Sequence, residues 1–189
     1  MMPDHALSTV PVASEFMTPA RTDSLTDYEY GGVGLGDLSQ GLYAKLWTCF
    51  YADGAIQAKH DDVVEHLIVV ENVTALSFAF DRNMRPMVAY IAAGQCYLWW
   101  YDSLVANQVT SNLGATLEYP QLALDDRRDS QSGNADVIFA YIKDHKTYIR
   151  LQRERFRIEH ELAQASRLIQ IGMMKNNRFG FALYTWNKQ

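Results

Sequence analysis

Pro86 to Asp102 reads PMVAYIAAGQCYLWWYD, and Asp136 to Gln152 reads DVIFAYIKDHKTYIRLQ. Each stretch holds Ala-Tyr-Ile, five further residues, then Tyr and a bulky apolar residue. Ala89-Tyr90-Ile91 leads to Tyr97-Leu98, and Ala140-Tyr141-Ile142 leads to Tyr148-Ile149, with the two tripeptides 51 residues apart. The aromatic and β-branched runs suit a pleated surface. Their polar interruptions, Ala93-Gly94-Gln95 and Asp144-His145-Lys146, suit tight reversals. Tyr90, Ile91, Tyr97, Leu98, Trp99 and Trp100 form no single stripe at helical spacing. The spacing therefore predicts two β-hairpins.

A weaker third copy lies upstream, where Trp47–Tyr51 is followed by Ala52-Asp53-Gly54 and then Ala55–Ala58. Asp-Gly between β-formers is a strong hairpin signal. Gly54 and Gly94 stand 40 residues apart, near the period of blade-like β repeats. Around these hairpins the chain supplies further strands. Leu76, Phe78 and Phe80 alternate within Ala75–Phe80, and Gln121–Leu124 repeats that role before the second strong hairpin. Asp61–Val70 reads as strand in preference to helix. Phe156–Leu162 is expected to close the third unit as a fourth strand, and Leu168–Ile171 and Phe179–Tyr184 supply two more. Asp81-Arg82-Asn83 and Asp125–Arg128 read as turns, and Ser130–Gly133 as an insertion that lengthens the later copy.

The expected fold is all-β: repeated hairpin or meander units resembling partial propeller blades, with an extended N-terminal arm. Closed propellers take four or more blades, and this length supplies about three. The sheets are thus expected to stay open or to be completed by oligomerisation into a ring or other symmetric assembly. Residues 1–30, rich in Pro, Ser, Thr and Ala, read as an arm held by a neighbouring chain. Residues 31–41 read as a glycine-rich joint, because Gly31–Asp37 lacks the strand, helix and Gly-Lys-Ser/Thr of a phosphate loop. Residues 42–189 form the β-repeat body.

Composition narrows the function. With 48% hydrophobic and 12% aromatic residues in 189, the chain has material for a real core. A net charge of −5 argues against a dedicated nucleic-acid binder. No apolar run reaches the length of a membrane span, and no signal-peptide pattern opens the chain. Cys49 and Cys96, both in expected strands, read as buried free thiols. No cofactor, small-molecule substrate, membrane or sequence-specific nucleic acid is expected as a partner.

The five histidines fall on separate elements. His60, Asp61, Asp62 and His66 lack the spacing of a structural zinc site. Asp125-Asp126 beside Arg127-Arg128 reads as turn chemistry, since adjacent strand residues point to opposite faces. Neither cysteine stands beside a base and no Gly-x-Ser-x-Gly elbow occurs, so no catalytic role is expected. Two interface candidates stand out. Arg153, Arg155 and Arg157, with Arg150, cluster around a turn, offset by Glu154, Glu159 and Glu161. The tract Tyr97–Tyr101 places Trp99 and Trp100 on opposite faces, with Tyr101 beside them, and such rings favour interface cores.

The ordered series GGVGLGDLSQGL, ALSFAFDRNMRPMVAYIAAGQCYLWWYDS, LDDRR, ADVIFAYIKDHKTYIRLQRERFRIEHEL and IGMMKNNRFGFAL resembles a family of tailed-bacteriophage virion structural proteins, over about residues 31–183. Its most specific part is the order of a Phe-Asp-x-Asn-x-Arg-Pro turn, a strand ending Tyr-Asp, Leu-Asp-Asp-x-Arg, and an Ala-Tyr-Ile hairpin ending Gln-Arg-x-Arg-Phe. The resemblance implies a non-enzymatic building block of the tail or head-tail junction, made in the host cytoplasm and found in the virion. Its partners would be other virion proteins and its own copies. The alternative expectation is a carbohydrate- or receptor-binding β module of a tail tip or fibre, with Trp99 or Trp100 as platform.

Overall fold

The computed structural model describes residues 30–35, 44–125, 135–174 and 178–184. Three antiparallel four-stranded meanders follow one another. The first is β1 (Tyr30–Leu35), β2 (Ala44–Ala52), β3 (Ala55–His60) and β4 (Val63–Val69). The second is β5 (Val73–Phe80), β6 (Pro86–Ala92), β7 (Gln95–Asp102) and β8 (Asn107–Ala115). The third is β9 (Glu118–Asp125), β10 (Asp136–Lys143), β11 (Lys146–Leu151) and β12 (His160–Gln164). A fourth sheet pairs β13 (Arg167–Met173) with β14 (Phe179–Tyr184). The protein is all-β, its sheets are blade-like and open, and no α-helix occurs among the described residues.

The turns explain the hairpins. Asp53 and Gly54 (φ 51° and 72°), Ala93 and Gly94 (47° and 73°), and Asp144 and His145 (49° and 60°) are two-residue reversals with both residues left-handed. That geometry matches the right-handed twist of the flanking strands. A Cβ on Gly54 or Gly94 would meet nothing within 4 Å, so the demand for glycine there is purely one of backbone angle.

The same turn length sets the register behind the sequence repeat. Tyr90 faces Tyr97 with rings stacked 5.2 Å apart, and Tyr141 faces Tyr148 with rings stacked at 6.0 Å. In the first sheet the equivalent pair is Phe50 and Gln57. There the buried Gln57 turns its amide onto the Ala52 carbonyl at 3.1 Å, which is why that copy reads weakly.

The first strands stack side by side, β1 against β5, β5 against β9, and β9 against β13. Ser77 on β5 accepts a hydrogen bond from the Leu122 N–H at 2.8 Å. Gln121 on β9 donates to the Leu168 carbonyl at 3.2 Å and accepts from the Ile171 N–H at 2.9 Å. Ser77 pairs with Ala89 and Gln121 with Ala140, the same alanine of the repeat. One position in successive sheets therefore ties β5 to β9 and β9 to β13. These side chains are buried, where an unmet polar group is costly.

Apolar layers fill the spaces between sheets. Leu76, Phe78 and Phe80 join Cys49, Ile56 and Val88 between the first and second sheets. Met87, Leu98 and Trp100 meet Phe139, Tyr141 and Phe156 between the second and third. Ala140 and Ile142 meet Leu168 and Ile171 beyond the third. Because the middle sheets are covered on both faces, β5 and β10 are buried almost end to end. Cys49 and Cys96 are free and buried, and burial pushes the Cys96 thiol up to about 12 and Cys49 up as well.

Several expectations need correction. Gly31–Leu35 belongs to β1, paired with Ala44–Thr48 of β2, so the start of the 31–41 joint is a strand. Glycines keep both backbone hydrogen-bonding groups and can join a ladder. Phe156 and Ile158 lie outside any strand. A 3-10 turn at Gln152–Glu154 is followed by left-handed Arg155 and Phe156 (φ 54° and 56°), and β12 begins only at His160. Phe156 leaves the ladder because the core takes its ring, edge-on to Trp100 at 5.2 Å. β8 is a further strand not expected from the sequence: its polar NQVTSN run has no apolar alternation, and among the described residues it pairs only with β7. The arm apart from Tyr30, the 36–41 part of the joint, and the 126–133 turn and insertion lie outside the described residues.

Candidate functional site

Trp100, Tyr101, Arg153 and Arg155, four of the six interface candidates, line one cleft of about 490 Å³ between the second and third sheets. Equivalent ends of the two sheets build its walls. The β5–β6 turn (Asp81–Arg85) and the β7–β8 turn (Ser103, Leu104) form one side. Ala135 and Asp136 at the start of β10, with Gln152–Arg155 after β11, form the other.

Three aspartates organise these walls. Buried Asp81 accepts hydrogen bonds at Oδ1 from the N–H groups of Asn83 (2.8 Å) and Arg85 (3.0 Å), which closes the β5–β6 turn. Asp102 accepts from the Leu104 N–H at Oδ1 (3.0 Å) and from the Arg155 guanidinium at Oδ2. The Arg155 hydrogen bond holds the Asp102 carboxyl below its ordinary value. Asp136 accepts from the Arg153 N–H at 3.0 Å, and its second oxygen lies 3.6 Å from the Arg153 Nε. There burial prevails and raises the carboxyl.

The aromatic candidates separate as strand alternation requires. Trp100 is buried against Phe156, with its indole N–H donating to Ser111 Oγ at 3.3 Å. It offers no ring face for a sugar. Trp99 is half-buried in the layer shared with the first sheet. Tyr101 carries the Arg85 guanidinium over its ring at 3.7 Å.

The arginine cluster divides similarly. Arg150 turns inward, donating to the Tyr141 hydroxyl (3.0 Å), the Phe156 carbonyl (3.0 Å) and Glu159 (3.4 Å). Burial alone would raise the Glu159 carboxyl, but hydrogen bonds from Tyr141 and Lys143 outweigh it and hold the group below its ordinary value. Of the expected glutamate partners only Glu159 meets an arginine here; Glu154 bonds His160 and Glu161 bonds Lys146. Arg157 is exposed outside the cleft.

Chemically, the cleft is a clamp. Its carboxylates are engaged by backbone N–H groups and guanidinium, and no histidine, cysteine or lysine lines it among the described residues. No group of three metal-ligating side chains converges among the described residues. His60 packs its ring against Trp47 at 3.9 Å, with Asp61 and Glu65 oxygens 3.6 and 3.7 Å from its nitrogens. The aspartates of the cleft escaped the sequence reading as a group. Each closes a strand or opens one (Phe80-Asp81, Tyr101-Asp102, Asp136), and that shared position was the available signal.

Fold and cleft define an all-β protein of successive meander sheets, with the Arg155–Asp102 contact linking the second sheet to the third. No family model, no curated protein and no solved structure matches the chain.

Proposed function

We propose that this chain is a non-enzymatic structural subunit of a bacteriophage virion, in the tail or head-tail junction, that works by assembling with its own copies and with neighbouring virion proteins. The observation that carries the reading is the count of strands. Three sheets have four strands each, while the fourth has two among the described residues, so β14 is an edge there. An unpaired strand edge is a template for another chain. The resemblance of the ordered motifs to virion structural proteins supplies the biological setting. The cleft supports a structural role in its turn, since its Asp102–Arg155 pair ties two sheets together.

Sedimentation of the purified chain tests the reading, and a ring or other closed oligomer is expected. Removing residues 1–29, which spares β1, is expected to leave the β body folded while abolishing incorporation into particles. A strictly monomeric chain that is absent from purified particles sinks the proposal. Of the alternative, a glycan platform on the tryptophans, only half-buried Trp99 is left, because the Trp100 ring is enclosed.

A further inference from the structure

We infer that copies of this chain join head to tail, the acidic corner at the start of β4 in one copy meeting the basic, apolar-tipped turns beside the cleft in the next. This contact rests on the assembly reading above and specifies its surfaces.

The acidic corner is the more exposed. Asp61, Asp62, Val63, Val64 and Glu65 are consecutive exposed residues, and Val69 further along the same strand is 87% exposed. Strand alternation puts Val63 and Glu65 on one face and Val64 on the other. An edge strand carrying bare valines on both faces has the composition of a pairing surface, with the acids selecting what meets it.

The complementary surface lies at the same end of the body. Trp47 touches both His60, which ends β3, and Phe80, which ends β5 (ring centroids 3.9 and 5.3 Å). The β3–β4 corner and the turns around the cleft therefore project from one end. On those turns Leu104 is 73% exposed, Val105 58% and Ile158 52%. Exposed Arg157 adjoins Ile158, and Arg153 stands 67% exposed at the cleft rim. The basic residues here contrast with a chain of net charge −5.

A second copy is the occupant that answers these features together. It brings valines to the leucine, valine and isoleucine tips, and carboxylates to the arginines. Because the two surfaces differ, the contact is heterologous, and repetition either closes a ring or extends a filament.

Charge reversal tests the pairing. Glu65→Arg and Arg157→Glu alter exposed side chains, so each variant is expected to keep the parent's circular dichroism, with Glu65→Arg giving up the Glu65–His60 contact and melting slightly lower. Each is expected to weaken self-association in sedimentation by at least about tenfold. The double variant is expected to recover most of that loss, and added salt to weaken the parent. The milder Glu65→Gln and Arg157→Gln report should a reversal fail to fold, and they are expected to give a smaller loss of the same sign. An oligomer indifferent to every single change overturns this contact and leaves the assembly reading standing. Single losses that the double variant does not recover overturn the pairing as well. A parent that is monomeric throughout overturns the contact and removes the support on which it rests.

Discussion

The carboxylate of Asp102, at the end of β7, is held by the guanidinium of Arg155, 53 residues later and one sheet away. The pair joins the second and third sheets across the mouth of the cleft. Each partner is fixed by its own backbone: Asp102 caps the Leu104 N–H, and Arg155 stands left-handed after the 3-10 turn. The contact thus depends on two turns being right at once.

Asp102→Asn is expected to flatten the acid limb of the stability curve. The folded-state value lies below the ordinary 3.8, so the stabilisation is fully present above that value and is lost as pH falls through the folded one. Urea denaturation at a series of pH values measures it. An unchanged acid limb contradicts the assignment.

Asp136 is expected to behave with the opposite sign. Its folded value is raised, chiefly by burial, so the folded state loses stability as pH climbs from 3.8 through that value. Asp136→Asn keeps an acceptor for the Arg153 N–H and removes the buried charge. At neutral pH it is expected to lower stability less than Asp102→Asn does, which side-by-side urea curves compare.

Gln121→Leu is expected to cost about 1–3 kcal/mol, since it deprives the Leu168 carbonyl and Ile171 N–H of a buried partner. Gln121→Glu keeps the acceptor for Ile171 and is a useful comparison. Hydrogen exchange at Ile171 is expected to rise in the leucine variant first.

Gly94→Ala separates backbone strain from crowding, because the new methyl meets nothing within 4 Å while φ stays at +73°. The expected cost is about 1 kcal/mol. His145, left-handed at φ 60° in the matching turn, is expected to respond in reverse, His145→Gly raising the melting temperature slightly. Thermal melts of the two variants decide it.

Both thiols are expected to resist alkylation in the native protein and to react on unfolding. Burial raises Cys96 to about 12 and Cys49 as well, which leaves almost no thiolate at neutral pH. Mass spectrometry after iodoacetamide, with and without urea, reads the difference. Native-state labelling of Cys49 points to local opening of the first sheet.

The hairpins were legible residue by residue because their causes are local. A two-residue turn and a pleat of period two put Tyr90 opposite Tyr97 and Tyr141 opposite Tyr148, whatever surrounds them. Alternation likewise sent Trp99 and Trp100 to different faces. What lies on those faces is not local. Phe156 continues an alternating pattern in FRIEHEL, yet it leaves the ladder because Trp100, far back in the sequence, offers its ring a buried neighbour. The polar β8 carries no apolar rhythm and forms because β7 presents it with an edge.

The chain alone therefore determined an all-β, repeating body and the residue types crowding its turns, since both follow from backbone angles and strand period. Only the tertiary structure decided that Arg150 turns inward to Tyr141 and Glu159 while Arg155 crosses to Asp102. Arginines five residues apart look alike in sequence. A guanidinium takes the carboxylate that folding brings within reach, and that choice is made between sheets.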